Sequence, residues 1–195
     1  DFLKWMPGAK DVIIYDRYKD FADRLIREAD VICCLDFNEL KRIDTMEEAV
    51  RNASARKMLV DHHLNPGNFA DITISHPDIS STSELVFRLI CRLGNFDDIT
   101  REGAECIYTG MMTDTGGFTY NSNNREIYYI ISELLSKGID KDQIYRNTFN
   151  THTEGRLRLM GYVLYEKMEI YRDFNSALIW LTKEDQRKFQ YRKGD

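Results

Sequence analysis

Runs of β-branched residues too short for helices alternate along this chain with segments of helical periodicity, and a sequence ordered in that way folds as βαβ units around a parallel sheet. Val12-Ile13-Ile14-Tyr15 and Val31-Ile32-Cys33-Cys34-Leu35 read as buried strands, with Phe21, Leu25 and Ile26 on one helical face between them. Thr45 followed by Glu48 has capping-box spacing and predicts a helix to about Ala55, after which Met58-Leu59-Val60 makes a third strand. Ile72-Thr73-Ile74 predicts another short strand. Ser81 with Glu84 opens a helix carrying Leu85, Leu89 and Leu93, which Gly94 closes. A helix from about Arg101 runs into a loop at Met111–Phe118, another covers roughly Asn124 to Ser136, and Asp140 and Gln143 cap the next. Thr151 with Glu154 opens a long helix bearing Leu157, Met160, Leu164 and Met168, and Ala177–Leu181 is a final strand. The expected fold class is α/β: a Rossmann-like parallel sheet with flanking helices over residues 1–150, then a linker helix and the beginning of a second α/β domain over 151–195.

Composition excludes several classes. With 195 residues, 43% of them hydrophobic, the chain can bury a core, so disorder is not expected. The net charge is −5 and no Lys/Arg block is long enough to track a nucleic-acid backbone, which argues against long duplex partners. Cys33, Cys34, Cys91 and Cys106 form no CxxC pair and no zinc spacing with the histidines, so they read as reduced core thiols. No apolar stretch approaches the roughly 20 residues of a spanning helix and no signal-peptide pattern occurs, so the expectation is a cytoplasmic protein without a membrane partner.

Three segments carry the chemistry. Asp36 follows one apolar run, Asp61-His62-His63 follows the next, and Asp114 sits in what reads as a loop. In open parallel sheets ligands bind beyond the carboxyl ends of strands, so such segments converge on one crevice. Carboxylates with imidazole suit Mn²⁺ or a neighbouring divalent ion. For Asp36 alone a helix cap or turn is a sufficient account; the three segments together favour a metal.

In Leu59-Val60-Asp61-His62-His63, with Leu35-Asp36 upstream and Thr113-Asp114-Thr115-Gly116-Gly117-Phe118 downstream, the sequence resembles the DHH phosphoesterases. It looks most like their nanoRNase/pAp-phosphatase branch within the RecJ-like superfamily, which the helix start Ser80-Ser81-Thr82-Ser83-Glu84 also fits. The ordered motifs span most of residues 1–182. The resemblance implies a DHH domain followed by a DHHA1-like substrate-binding domain, and two Mn²⁺ ions, with Mg²⁺ or Co²⁺ as alternatives. Asp36 would bridge the metals, and His62 and Asp114 would bind the second. His63 would face the substrate phosphate, and Asp61 would orient a neighbouring histidine. The catalytic set is then His63, Asp61 and Asp36, and the implied chemistry is two-metal hydrolysis.

The family's first motif, a His followed by Asp-Gly-Asp, has no counterpart here, nor does the glycine-rich loop of the second domain. Both ends, opening at Asp1 and closing in Arg192-Lys193-Gly194-Asp195, therefore read as cuts through a longer protein, and the chain as written is expected to hold metal weakly and turn over little. The expected function is hydrolysis of short oligoribonucleotides and of 3′,5′-bisphosphorylated adenosine. The alternatives are an exopolyphosphatase or pyrophosphatase, a cyclic-dinucleotide-related phosphodiesterase, and a non-catalytic nucleotide-binding domain. A homodimer is left open.

Other residues carry less. Ser80, Ser81 and Thr82 at a helix N-terminus are candidates for holding substrate phosphate through backbone N–H groups, although Ser81 is equally explained as a cap. Gly116 and Gly117 fit a tight turn that aims Asp114 inward. Tyr120, Tyr128 and Tyr129 could stack on a base, with core packing as the default. Arg156 and Arg158 read as a solvated face, and His76 and His152 as structural or surface residues.

Overall fold

The computed structural model describes residues 2–191, so the terminal run Arg192-Lys193-Gly194-Asp195 lies outside the described residues. The chain divides into two compact units, Lys4–Ile144 and a second from Tyr145 onward that also takes in Phe2 and Leu3. The larger unit runs α1 (Lys19–Glu28), β1 (Val31–Leu35), α2 (Glu47–Asn52), β2 (Arg56–Asp61), β3 (Ile72–Ser75), α3 (Thr82–Arg92), α4 (Arg101–Asp114) and α5 (Arg125–Ser136), with α6 (Lys141–Phe149) crossing the boundary.

The three strands pair in sequence order and all are parallel, with α2 in the crossover from β1 to β2 and a segment without a helix, residues 62–71, leading from β2 to β3. Leu35 stands opposite Val60, and Asp61 opposite Ser75, so Asp36 and Asp61 leave the sheet together at its carboxyl edge. Side chains alternate along β2, which places Leu59 and Val60 on opposite faces, and both are fully buried. Leu59 joins Cys34, Leu40 and Val50 in a core that Ile26, Phe37 and Phe69 help cover. α3 packs on β2 and on α4, and α4 packs on α5, burying Leu85, Met111, Met112, Ile127 and Leu134. Each such side chain contributes about 1.5–3 kcal/mol on burial, so the central strand is fixed from both faces.

Several local expectations fail for physical reasons. Val12-Ile13-Ile14-Tyr15 is not a strand: Val12, Ile13 and Ile14 are exposed, and Tyr15 begins a 3-10 turn, Tyr15–Arg17. Strand propensity reflects packing against cross-strand neighbours, and among the described residues this segment has none. β1 is a strand but not a buried one; it lies at the sheet edge, where Val31 and Leu35 stay exposed and only Cys34 is buried. Thr45 does not cap α2. Its hydroxyl donates to Asp16 instead, at 2.8 Å, and α2 starts at Glu47 after the 3-10 stretch Leu40–Met46. Tyr120, Tyr128 and Tyr129 are exposed rather than packed in the core. The caps at Ser81, Asn124 and Asp140 are as the spacing predicts. All four cysteines are free, but only Cys34 is a core thiol, Cys33 being exposed and Cys91 and Cys106 half-buried; burial pushes the thiols of Cys34, Cys91 and Cys106 up, leaving them poor nucleophiles.

In the second unit, α7 (Glu154–Tyr162) is capped by Thr153, whose hydroxyl accepts from the Arg156 N–H, and not by Thr151. It continues as a wider turn over Val163–Lys167, so Met168 falls outside the helix. The antiparallel pair β4 (Glu169–Tyr171) and β5 (Ser176–Leu178) follows, with β5 ending before the expected Leu181. The short helix α8 (Lys183–Lys188) opens on a reciprocal capping box between Thr182 and Asp185. Hydrogen bonds from the Thr182 backbone and hydroxyl hold the Asp185 carboxyl well below the usual carboxylate range. Arg158 pairs with Glu154 on an exposed face.

Candidate metal centre

The parallel register brings two of the three chemical segments together before any side chain is considered. The Asp36 N–H donates to the Val60 carbonyl at 3.2 Å, and the His76 N–H to the Asp61 carbonyl at 3.2 Å, extending the ladder one step past each strand. Asp36 takes a left-handed backbone conformation, φ 67°, uncommon for a residue with a side chain. The third segment arrives differently. Asp114 is the last residue of α4 and not a loop residue. α4 runs through to it with the threonine hydroxyls taken up inside the helix, Thr109 donating to the Glu105 carbonyl at 2.6 Å and Thr113 to the Thr109 carbonyl at 2.9 Å. The turn that follows uses Gly116 at φ 56°, where a Cβ would also lie 2.3 Å from the Tyr120 ring.

His62 is the hub. Its Nδ1 lies 3.1 Å from the Ile79 carbonyl, which can only accept, so the proton sits on Nδ1 and Nε2 is left for another partner. Nε2 lies 3.1 Å from Asp114 Oδ2 and 3.9 Å from Asp36 Oδ1. His63 Nδ1 is 2.7 Å from Asp61 Oδ1 and 4.0 Å from Asp36 Oδ1. Asp36, His62 and His63 each offer one ligand atom, and these lie within 4.8 Å of one another. Asp61 is fully buried, and its Oδ2 has no hydrogen-bond partner among the described residues. Burial pushes the Asp114 carboxyl up, and the Asp36 charge adds to this while His62 and His63 oppose it.

The residues present fit a divalent cation. Carboxylates on Asp36 and Asp114 flank an imidazole nitrogen whose other nitrogen is already committed, the donor set expected for a borderline metal whose histidine is oriented by an outer hydrogen bond. A cavity of about 220 Å³ beside them is lined by Leu35, Asp36, Thr82, Gly110 and Asp114.

Of the residues expected to touch substrate, Ser81 is 1% exposed, and its hydroxyl accepts from the Glu84 N–H at 3.1 Å as the cap of α3. Thr82 turns toward the site, donating to Asp36 Oδ1 at 2.8 Å. Two participants escaped the sequence. The Ile79 carbonyl orients His62, and a backbone acceptor has no side-chain signature. Gly110 lets α4 approach α3, since a Cβ there would sit 1.9 Å from Ser83 Oγ; a glycine inside a helical pattern was the available signal.

Comparison with known proteins bears on the same residues. Residues 2–111 match the DHH family, N-terminal domain, a span that holds Asp36 and Asp61-His62-His63 and stops just short of Asp114. The chain is 30% identical to the bifunctional oligoribonuclease and PAP phosphatase NrnA of Thermus thermophilus, over 84% of this chain and 46% of that protein. The Bacillus subtilis protein of the same name is 22% identical over 87% of this chain and 53% of its own length. A crystal structure of an exopolyphosphatase-related protein from Bacteroides fragilis superposes with a TM-score of 0.98 at 73% identity, covering all of this chain and 57% of that one. The chain thus spans about half the length of these relatives. With the matched segment carrying the Asp-His-His triplet onto the carboxyl edge of a parallel sheet, the chain belongs to the DHH family.

Proposed function

We propose that the protein is a metal-dependent phosphoesterase, with Mn²⁺ as the preferred ion, that hydrolyses short oligoribonucleotides and 3′,5′-bisphosphorylated adenosine. The observation that carries the reading is the convergence of Asp36 and Asp114 on His62 Nε2, beside His63 and its Asp61 partner. The names of the Thermus and Bacillus relatives support the substrate class.

Asp36, His62 and Asp114 would hold the cation. When bound, such an ion supplies positive charge against phosphoryl oxygens and acidity to water. The protein's own part is orientation. Ile79 accepts the Nδ1 proton of His62 and keeps Nε2 turned to the two carboxylates. Asp61 accepts from His63 Nδ1 and fixes that ring, which leaves Nε2 to meet a phosphoryl oxygen and hold or release a proton there. The net charge of −5 makes local neutralisation at the site, and not a basic surface, the means of attracting a small anionic substrate.

A second reading, hydrolysis of inorganic polyphosphate or pyrophosphate, is favoured by the description of the Bacteroides structure as exopolyphosphatase-related. The test is turnover of a labelled diribonucleotide, bisphosphorylated adenosine and pyrophosphate side by side with Mn²⁺, using the intact protein and Asp36→Ala. Cleavage of the nucleotides alone, abolished in Asp36→Ala, is expected. Preferential cleavage of pyrophosphate would replace the first reading with the second, and wild-type turnover by the variant would discard the site.

A further inference from the structure

We infer that Thr82 is a positioning residue for the metal centre, acting through Asp36 and not by binding substrate; the inference rests on the metal reading above. The Thr82 hydroxyl donates to Asp36 Oδ1 at 2.8 Å across 46 residues of sequence, and this is the oxygen that faces both His62 Nε2 and His63 Nδ1.

Asp36 needs such a partner. It follows an edge strand, its backbone is left-handed, and its side chain is 59% exposed, so packing does little to hold its carboxylate. A carboxylate left free there would spend part of its time rotated toward solvent. Thr82 is 6% exposed, at the first position of α3, where a rigid helix anchors it. Its β-branched side chain is confined to two main rotamers in a helix, and the one adopted aims the hydroxyl at Asp36. Water competes poorly for a group so enclosed. The neighbouring Ser81 is spent on capping, which leaves the two adjacent hydroxyls with separate tasks: Ser81 starts the helix and Thr82 joins that helix to the ligand at the end of β1. An oxygen that accepts one hydrogen bond keeps a lone pair for a cation. The bond therefore restricts Asp36 without consuming it.

The experiment is Mn²⁺ titration by calorimetry of the intact wild-type protein and of Thr82→Val and Thr82→Ser, each with a thermal melt in EDTA. Valine keeps the shape and removes the donor; serine keeps the donor. Loss of a hydrogen bond to a metal ligand weakens metal binding by about 10–100-fold, so the valine variant is expected in that range, at its lower end because Asp36 is solvated, and serine near wild type. The metal-free melting temperatures should agree. Unchanged affinity in Thr82→Val overturns the inference, as does equal weakening in both variants with lowered melting temperatures, which marks a packing role. Wild type that binds no Mn²⁺ would instead remove the metal reading beneath it.

Discussion

At the scale of single residues, the chemistry lies in how few partners each group has. Asp61 is the sharpest case, a fully buried carboxylate with one oxygen on His63 and the other without a hydrogen bond among the described residues. Burying a polar oxygen without a partner costs stability, so the place of Asp61 is explained by what it does at His63. Asp61→Asn should therefore separate stability from activity. Phosphoester turnover is expected to fall by about 10–100-fold, as outer partners of metal sites usually show, while the urea midpoint holds or rises because a neutral amide is cheaper to bury. Undiminished turnover would assign Asp61 to packing. The candidate site was largely legible at this scale: Asp36, the Asp-His-His triplet and Asp114 all stand at one edge of the sheet. The division between Ser81 and Thr82 was not, because two hydroxyls side by side read alike until the helix direction decides which one turns inward.

At the scale of elements, sequence pattern located most helices and, among the described residues, every strand but β4, and it failed where a partner decides the outcome. Val12–Tyr15 has the composition of a strand and, among the described residues, no ladder to join. Thr45 and Thr151 have cap spacing, but Thr45 is drawn to Asp16 and Thr151 to the Asn147 carbonyl. The Met111–Phe118 run reads as a loop, yet α4 continues through to Asp114, with the Thr113 hydroxyl taken up by the Thr109 carbonyl one turn back. The approach of α3 to α4 offers a test. Alanine at an interior helix position normally gains about 1 kcal/mol over glycine. At Gly110 the added Cβ would lie 1.9 Å from Ser83 Oγ and 2.8 Å from Ser83 Cβ, so overpacking should win. Gly110→Ala is expected to destabilise by about 1–3 kcal/mol in chemical denaturation, and Ser83→Gly in the same chain should restore most of the loss. A Gly110→Ala protein at or above wild-type stability would mean that the helices separate at little cost.

At the scale of the whole molecule, the two compact units differ in what they hold. Among the described residues every candidate ligand lies between Asp36 and Asp114, inside the larger unit. A ligand that binds only folded protein stabilises what it binds, by about 2.7 kcal/mol at a hundredfold excess over Kd. For a unit of this size that raises the midpoint by on the order of 10 °C. The chain carries two tryptophans, Trp5 in the larger unit and Trp180 in the smaller. Trp180→Phe leaves a reporter of the metal-bearing unit, and Trp5→Phe leaves one of the other. Saturating Mn²⁺ is expected to raise the Trp5 transition and leave that of Trp180 in place, with EDTA reversing the shift. Equal shifts at both reporters would show that the units unfold as one, so that metal bound at the sheet edge also stabilises the hairpin of β4 and β5; a shift at neither would take the cation out of the site.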